Sequence, residues 1–140
     1  MADWAFAALG AAFFAGLTAI LAKLGVQTIA PAAATLVRTV VIVVLTAVVV
    51  GLRREWPQAD RLTGTGVMLL VLSGLTTGLS WLCYFRALQR GPVSLVAPLD
   101  KLSLVMSVLL AVLVLGERLS IRQWFGAGIM TAGAVLLALP

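Results

Sequence analysis

Three charged side chains lie deep within apolar runs of this sequence. Asp100 and Lys101 follow about two helical turns of mostly apolar residues, and the run then continues without charge to Leu115. Arg38 lies inside the second apolar run of the chain. A charge at the centre of a membrane-spanning helix costs about 2.5–3.5 kcal/mol, so such residues usually face a partner or a polar cavity. These three side chains are therefore the first candidates for a substrate or coupling site.

The role of Asp100 and Lys101 depends on which charged side chains they contact. Adjacent residues on a helix point about 100° apart, so we expect Asp100 and Lys101 not to neutralise each other and each to meet a partner on another helix. For Asp100 the available bases are Arg38, Lys23 and Arg86. One interpretation is a buried tie that fixes helix packing, and the other is a binding or coupling site. The bases outnumber the acid, which favours a substrate with a carboxylate or another anionic group.

Polar and aromatic side chains recur at helical spacing beside these charges. Trp81 and Tyr84 share one face of the third apolar run, and Ser103 follows Asp100 by three residues. Trp81 lies too deep for an interfacial aromatic belt. Helix packing is one explanation of this pattern, and the lining of a substrate path is the other. The second predicts six substrate-binding residues: Arg38, Trp81, Tyr84, Asp100, Lys101 and Ser103.

The residue types present argue against several other functions. The chain has no histidine, so His-ligated metal sites and His general bases are excluded, and its single cysteine allows no internal disulfide. We find no glycine-rich phosphate loop, metal-ligand cluster or nucleophilic triad, and predict neither an enzyme nor a cofactor. The net charge of +5 is spread among apolar runs, which indicates membrane-flanking charges rather than a nucleic-acid surface.

Hydrophobicity sets the fold class. The chain is 62% hydrophobic and 11% charged, whereas soluble domains are about 45–50% apolar and about 25% charged. Its apolar runs are long enough to cross about 30 Å of hydrocarbon. We predict a single all-α integral membrane domain over residues 1–140, with a serine cap, Ser120, before the last helix. The five transmembrane helices are predicted at residues 4–24, 32–52, 64–89, 93–115 and 121–139.

Basic residues near the helix ends bear on orientation. The side that holds the N-terminus, the loop 53–61 and the turn 117–122 carries five arginines, and the opposite side carries Lys23, Arg86 and Arg90. This difference favours a cytoplasmic N-terminus. The two sides become equal if Arg38 and Lys101 reach the second face, so insertion in both orientations is a further possibility.

Three segments resemble the EamA family of the drug/metabolite transporter superfamily, and in particular its short five-helix members. They are Tyr84-Phe85-Arg86-Ala87-Leu88, Val96-Ala97-Pro98-Leu99-Asp100-Lys101-Leu102-Ser103, and Leu115-Gly116-Glu117-Arg118-Leu119 followed by Gln123-Trp124 and Gly126. Most relatives have ten helices, in two five-helix repeats of opposite orientation that enclose a central site. The resemblance implies a half-transporter of the bacterial inner membrane. Its partner would be a second, antiparallel copy or a related short protein.

The resemblance also implies a function. Family substrates include amino acids, other metabolites and drugs, often exported, so we expect alternating-access transport of a small organic metabolite such as an amino acid. The related small multidrug resistance proteins use a first-helix glutamate to exchange protons against drug, but here the first helix has no carboxylate beyond Asp3. Proton-coupled drug efflux through Asp100 is one alternative. A non-transporting membrane assembly partner is another.

Overall fold

The computed structural model describes residues 3–56 and 63–138, and within those ranges every regular element is helical. Five of its helical segments are long and apolar enough to cross a membrane, which confirms the predicted fold class. The fourth of these spans consists of two consecutive helices, α4 and α5. The helices are α1 Asp3–Gly25, α2 Pro31–Arg53, α3 Gly64–Arg90, α4 Val93–Asp100, α5 Leu102–Leu115 and α6 Ile121–Ala138.

The prediction of one uninterrupted helix over residues 93–115 was wrong at Lys101. The helix α4 ends at Asp100, and the Leu104 amide donates to the Lys101 carbonyl over 3.0 Å, three residues back rather than four. The Lys101 amide is likewise shared between the Ala97 and Pro98 carbonyls, over 3.3 Å and 3.1 Å, so α4 ends where the hydrogen bonds change from four-residue to three-residue spacing. Two predicted boundaries, the loop beyond residue 56 and the end of the last helix at residue 139, lie outside the described residues.

The chain divides into two compact units, Met1–Leu21 with Arg90–Pro140, and Ala22–Gln89. We call them unit 1 and unit 2. In unit 1, α6 packs against both α4 and α5. Ala134 is buried, and Ala127 and Thr131 are half-buried on the same stripe of α6. Small residues allow close helix approach inside a membrane, where lipid supplies no hydrophobic drive for packing. The predicted single domain over residues 1–140 stays a prediction.

Unit 2 has a small core and a large apolar surface. Its buried residues are Val26, Phe85 and Leu88, and α2 has none along its whole length. An apolar helix without buried residues is what a lipid-facing span requires. The hydroxyls of Thr35 and Thr39 each donate over 2.8 Å to the carbonyl four residues earlier. These polar groups are thus satisfied within their own helix.

The turn between α5 and α6 combines two capping devices. The Ser120 amide donates to Gln123 Oε1 over 2.7 Å, and the Ser120 hydroxyl lies 2.9 Å from the same oxygen. The amide bond is the reciprocal half of a capping box and supports the predicted cap at Ser120. At the other side of the turn Gly116 has φ +69°, and the Glu117 amide donates to the Ala111 carbonyl over 3.2 Å. The left-handed Gly116 thus ends α5, and this bond closes the wider turn that follows it.

We expect Gly116→Ala to lower the free energy of unfolding by about 1–2 kcal/mol, because a Cβ is strained at a left-handed φ. Gly126→Ala is the matched control, since Gly126 lies within α6 and a Cβ there would meet nothing within 4 Å. It should be neutral or slightly stabilising. Unfolding in mixed micelles, followed by circular dichroism, measures both. Equal stability of the two variants would contradict the left-handed turn.

Candidate functional site

A cation–π contact between Arg38 and Trp81 joins the two full-length spans of unit 2. Arg38 lies in the second turn of α2, and Trp81 lies in the C-terminal half of α3. The guanidinium carbon stands 3.0 Å from the centroid of the Trp81 ring. Such a contact contributes about 0.5–2 kcal/mol, more when it is shielded from water. Two of the predicted site residues are therefore in direct contact.

Two further aromatic rings surround the Trp81 indole. Tyr84 and Phe85 each meet it edge to face, with centroid separations of 5.4 Å and 5.3 Å. The three residues follow one face of α3 because they are spaced by three and four. Phe85 is buried, whereas Trp81 and Tyr84 remain half-exposed. The indole is thus held in place by its neighbours while part of the cluster stays open to a ligand.

The Arg38 guanidinium has an unmet hydrogen-bonding requirement. Its Nη1 atom is buried and has no hydrogen-bond partner within the part of the chain that the structure describes. An aromatic face stabilises the positive charge of a guanidinium but is a poor hydrogen-bond acceptor for its N–H groups. Leaving a buried charged donor unpaired costs more than leaving a neutral one. A carboxylate or phosphate oxygen is the natural complement, since a guanidinium binds both in a fork-like geometry.

The other three predicted site residues lie in unit 1, at the break between α4 and α5. Lys101 Nζ is 3.6 Å from Asp100 Oδ2, so the prediction that these neighbours do not neutralise each other was wrong. The Lys101 backbone keeps a right-handed helical conformation, with φ −69° and ψ −9°, but its side chain is long enough to reach back to Asp100. Both are partly exposed, at 52% for Lys101 and 36% for Asp100. Ser103 is exposed, and its carbonyl accepts the Ser107 hydroxyl over 2.9 Å.

The structure therefore sorts the six predicted residues into two groups, one in each unit. Arg38, Trp81 and Tyr84 form the group in unit 2, and we call it the Arg38 cluster. The observed ion-pair partner of Asp100 is its own neighbour Lys101. Among the described residues, no three His, Cys, Asp or Glu side chains are grouped so that they could hold a metal ion.

Sequence reasoning missed Gln89, and it missed the partner of Lys23, near the helix ends of unit 2. Gln89 Nε2 donates to the carbonyls of Val26 and Ile29, over 2.9 Å and 2.8 Å. Lys23 Nζ donates to the Leu88 carbonyl. The last four carbonyls of a helix have no hydrogen-bond partner within the helix. A side-chain donor in the last turn of α1 or α3 was therefore the signal in the sequence that could have predicted these hydrogen bonds.

Comparison with known proteins gives three findings. The chain matches the model of the EamA-like transporter family over residues 3–139. An "uncharacterized transporter in cobO 3'region" of Sinorhizobium sp. is 49% identical over 136 residues, which cover 97% of this chain and 96% of the relative. A probable 4-amino-4-deoxy-L-arabinose-phosphoundecaprenol flippase subunit, ArnE, of Yersinia pestis (strain Pestoides F) is 33% identical over 84 residues, 60% of this chain and 73% of the relative. No solved structure matches.

Proposed function

This chain belongs to the EamA-like transporter family of multi-pass membrane proteins, and we propose that it carries a small organic substrate with an anionic group across the membrane. The observation that supports this choice is the buried, unpartnered Nη1 of Arg38 above the Trp81 ring. A carboxylate of an amino acid or a related metabolite is the group we assign to it. Movement by alternating access, in the direction of export, completes the proposal.

The Arg38 cluster suits such a substrate in both charge and shape. A substrate carboxylate takes a charge-assisted hydrogen bond from Nη1, worth about 1.5–3 kcal/mol. The edges of Trp81 and Tyr84 offer aromatic surface to the apolar part of the same molecule. The charge above Trp81 also counts against a cationic drug, because the indole face is already covered and a second cation would be repelled.

The proton-coupled alternative draws no support from the geometry around Asp100. A coupling carboxylate of the small multidrug resistance type exchanges its proton for a cationic drug. Asp100 instead lies 3.6 Å from the Lys101 ammonium, so it is one half of an ion pair. Asp100, Lys101 and Ser103 remain proposed substrate-binding residues. In this proposal the first two act as a neutral ion pair rather than as a lone acid.

We propose that the working transporter contains two five-helix chains in opposite orientations within the bacterial inner membrane. A single five-helix repeat supplies only half of the paired architecture that encloses a central site. The second chain is either another copy or a related short protein, and the word "subunit" in the name of the ArnE relative fits the second arrangement. The nearly balanced basic residues fit insertion in both directions.

A lipid-linked phosphate is a second candidate substrate. The ArnE relative is named as a flippase for an aminoarabinose joined to phosphoundecaprenol. One observation favours a related substrate here: Arg38 lies on α2, a helix with no buried residue, so a ligand could approach from the bilayer. The recognised group would again be an anion, a phosphate in place of a carboxylate.

Proteoliposomes that contain only this protein test the proposal. We expect them to accumulate labelled amino acids or organic anions in counterflow, to ignore organic cations, and to work equally with and without a pH gradient. A fluorescent polyprenyl phosphate tests the second candidate in the same vesicles. Uptake of cations alone, driven by a pH gradient, would reject the proposal in favour of drug efflux. Absence of all flux would favour the assembly-partner alternative.

A further inference from the structure

Three side-chain hydrogen bonds join the C-terminal ends of α1 and α3. Gln89, in the last turn of α3, reaches the Val26 and Ile29 carbonyls that follow α1. In the reverse direction Lys23, in the last turn of α1, reaches the Leu88 carbonyl of α3. Each helix end thus supplies the donor that the other one lacks. We call these three bonds the clamp.

Burial and electrostatics explain why the clamp is favourable. Leu88 has no exposed surface and Val26 is 1% exposed, so water reaches their carbonyls poorly. An unpaired backbone carbonyl in such a place costs free energy. Both helix ends also carry partial negative charge from the helix dipole, and the Lys23 ammonium offsets it. The clamp therefore provides hydrogen-bond donors for backbone carbonyls at the ends of the two helices.

The clamp lies close to the start of α2. Ile29 precedes Pro31, the first residue of α2, by two positions. Along α2, Arg38 lies seven residues beyond Pro31, which is about 10 Å. Along α3, Trp81 lies eight residues before Gln89, about 12 Å. The two helices are thus tied at the clamp and again, at a similar distance along each, by the contact between Arg38 and Trp81.

We propose that Gln89 is a positioning residue for the Arg38 cluster. Its two hydrogen bonds fix the axial register of α2 against α3, and this register holds the guanidinium over the indole. A slip of one residue moves a side chain by about 1.5 Å along the helix, half of the 3.0 Å that separates Arg38 Cζ from the Trp81 ring. The inference rests on the proposed function only where it takes this cluster as the substrate site.

The emission of Trp81 reads out the register directly, without any substrate. In a chain with Trp4, Trp56 and Trp124 replaced by phenylalanine, Trp81 is the one remaining tryptophan. Arg38→Met in this background gives the emission of the indole without its cation. We expect Gln89→Leu, which removes both donors at nearly constant volume, to move the emission maximum at least half of the way to that value.

Gln27→Leu is the matched control, because Gln27 is an exposed glutamine of the same connection between α1 and α2. It should leave the emission unchanged. Gln89→Glu is a second variant of similar shape whose ionised carboxylate accepts but cannot donate, and it should shift the emission as Gln89→Leu does. A folded Gln89→Leu or Gln89→Glu protein with wild-type emission would overturn the positioning role.

Uptake separates this inference from the proposed function. In proteoliposomes we expect Gln89→Leu to raise the half-saturating substrate concentration about tenfold, as the loss of a charge-assisted contact does. The maximal rate should change little. If the wild-type protein transports no anionic substrate, the proposed function fails, while the emission of Trp81 still decides whether Gln89 sets the register. An unchanged half-saturating concentration together with shifted emission would reject Trp81 as part of the substrate site.

Discussion

Replacing Arg38 with methionine is expected to weaken substrate binding about 10- to 100-fold, the loss of one charge-assisted hydrogen bond of about 1.5–3 kcal/mol. Methionine keeps much of the length and apolar stem of arginine but offers no donor to an anion. The concentration dependence of counterflow, or calorimetric titration of the purified protein, measures the change. The affinity of Arg38→Lys should lie between those of the wild-type protein and Arg38→Met, because an ammonium keeps the charge but loses the planar fork.

The stability of Arg38→Met distinguishes a substrate-binding role of Arg38 from a structural one. The Arg38 Nη1 atom has no hydrogen-bond partner among the described residues, so its removal breaks no hydrogen bond and relieves a buried donor. We expect Arg38→Met to unfold at nearly the wild-type denaturant concentration, since this relief offsets the lost cation–π contact. Arg53→Met is the control on the same helix. Arg53 is exposed and only loosely paired with Glu55, at 3.9 Å, and its loss should leave binding unchanged.

Two outcomes would contradict the assignment of Arg38. Wild-type affinity in Arg38→Met would remove the guanidinium from the binding site. A large loss of stability in Arg38→Met, with binding intact in the protein that remains folded, would make the residue a packing tie. The interpretation of the intramembrane charges as a tie that fixes helix packing would then hold for Arg38.

A direct tandem fusion of two copies is expected to transport, whereas a fusion through one additional transmembrane helix is expected to be inactive. Five candidate spans lie within the described residues, an odd number, so in the proposed topology the two ends of the chain emerge on opposite sides of the membrane. A direct fusion therefore forces the second copy into the inverted orientation. The additional helix returns the second copy to the orientation of the first. If the working unit is antiparallel, only the direct fusion can assemble it within one molecule.

Counterflow in vesicles at low protein density measures both fusions, because low density suppresses pairing between separate molecules. The control fusion carries a polar linker of the same length as the additional helix, and it should transport like the direct fusion. Equal activity of the direct and helix-linked fusions would reject the antiparallel pair. Activity of the helix-linked fusion alone would establish a parallel one.

The membrane spans could be predicted from the sequence because each is a local property. Inside lipid a helix must satisfy its backbone within its own segment, so length and hydrophobicity suffice to place it. The same holds for the cap at Ser120, which lies three residues from the glutamine side chain that completes it. The family was also accessible, since its signature segments are short and contiguous in the chain.

The partners of the polar side chains could not be predicted in this way. Lipid contacts every apolar face of a helix equally well, so the hydrophobic pattern does not say which faces meet. Arg38 and Trp81 were predicted for one site from different patterns, and only the structure shows that their side chains are in contact. A single polar residue at a helix end, such as Gln89, carries no pattern that predicts its partners. Only the structure shows that it donates to the carbonyls of Val26 and Ile29.

The pair Asp100 and Lys101 shows the same division most clearly. The sequence by itself determined that both charges lie within a membrane span, because that follows from the apolar residues around them. It predicted that they point apart, which is true of an unbroken helix. In the structure the long lysine side chain reaches back, and the two charged groups lie 3.6 Å apart. The hydrophobic run fixes the depth of a side chain in the membrane, whereas its partner depends on the reach of the side chain and on which helices pack together.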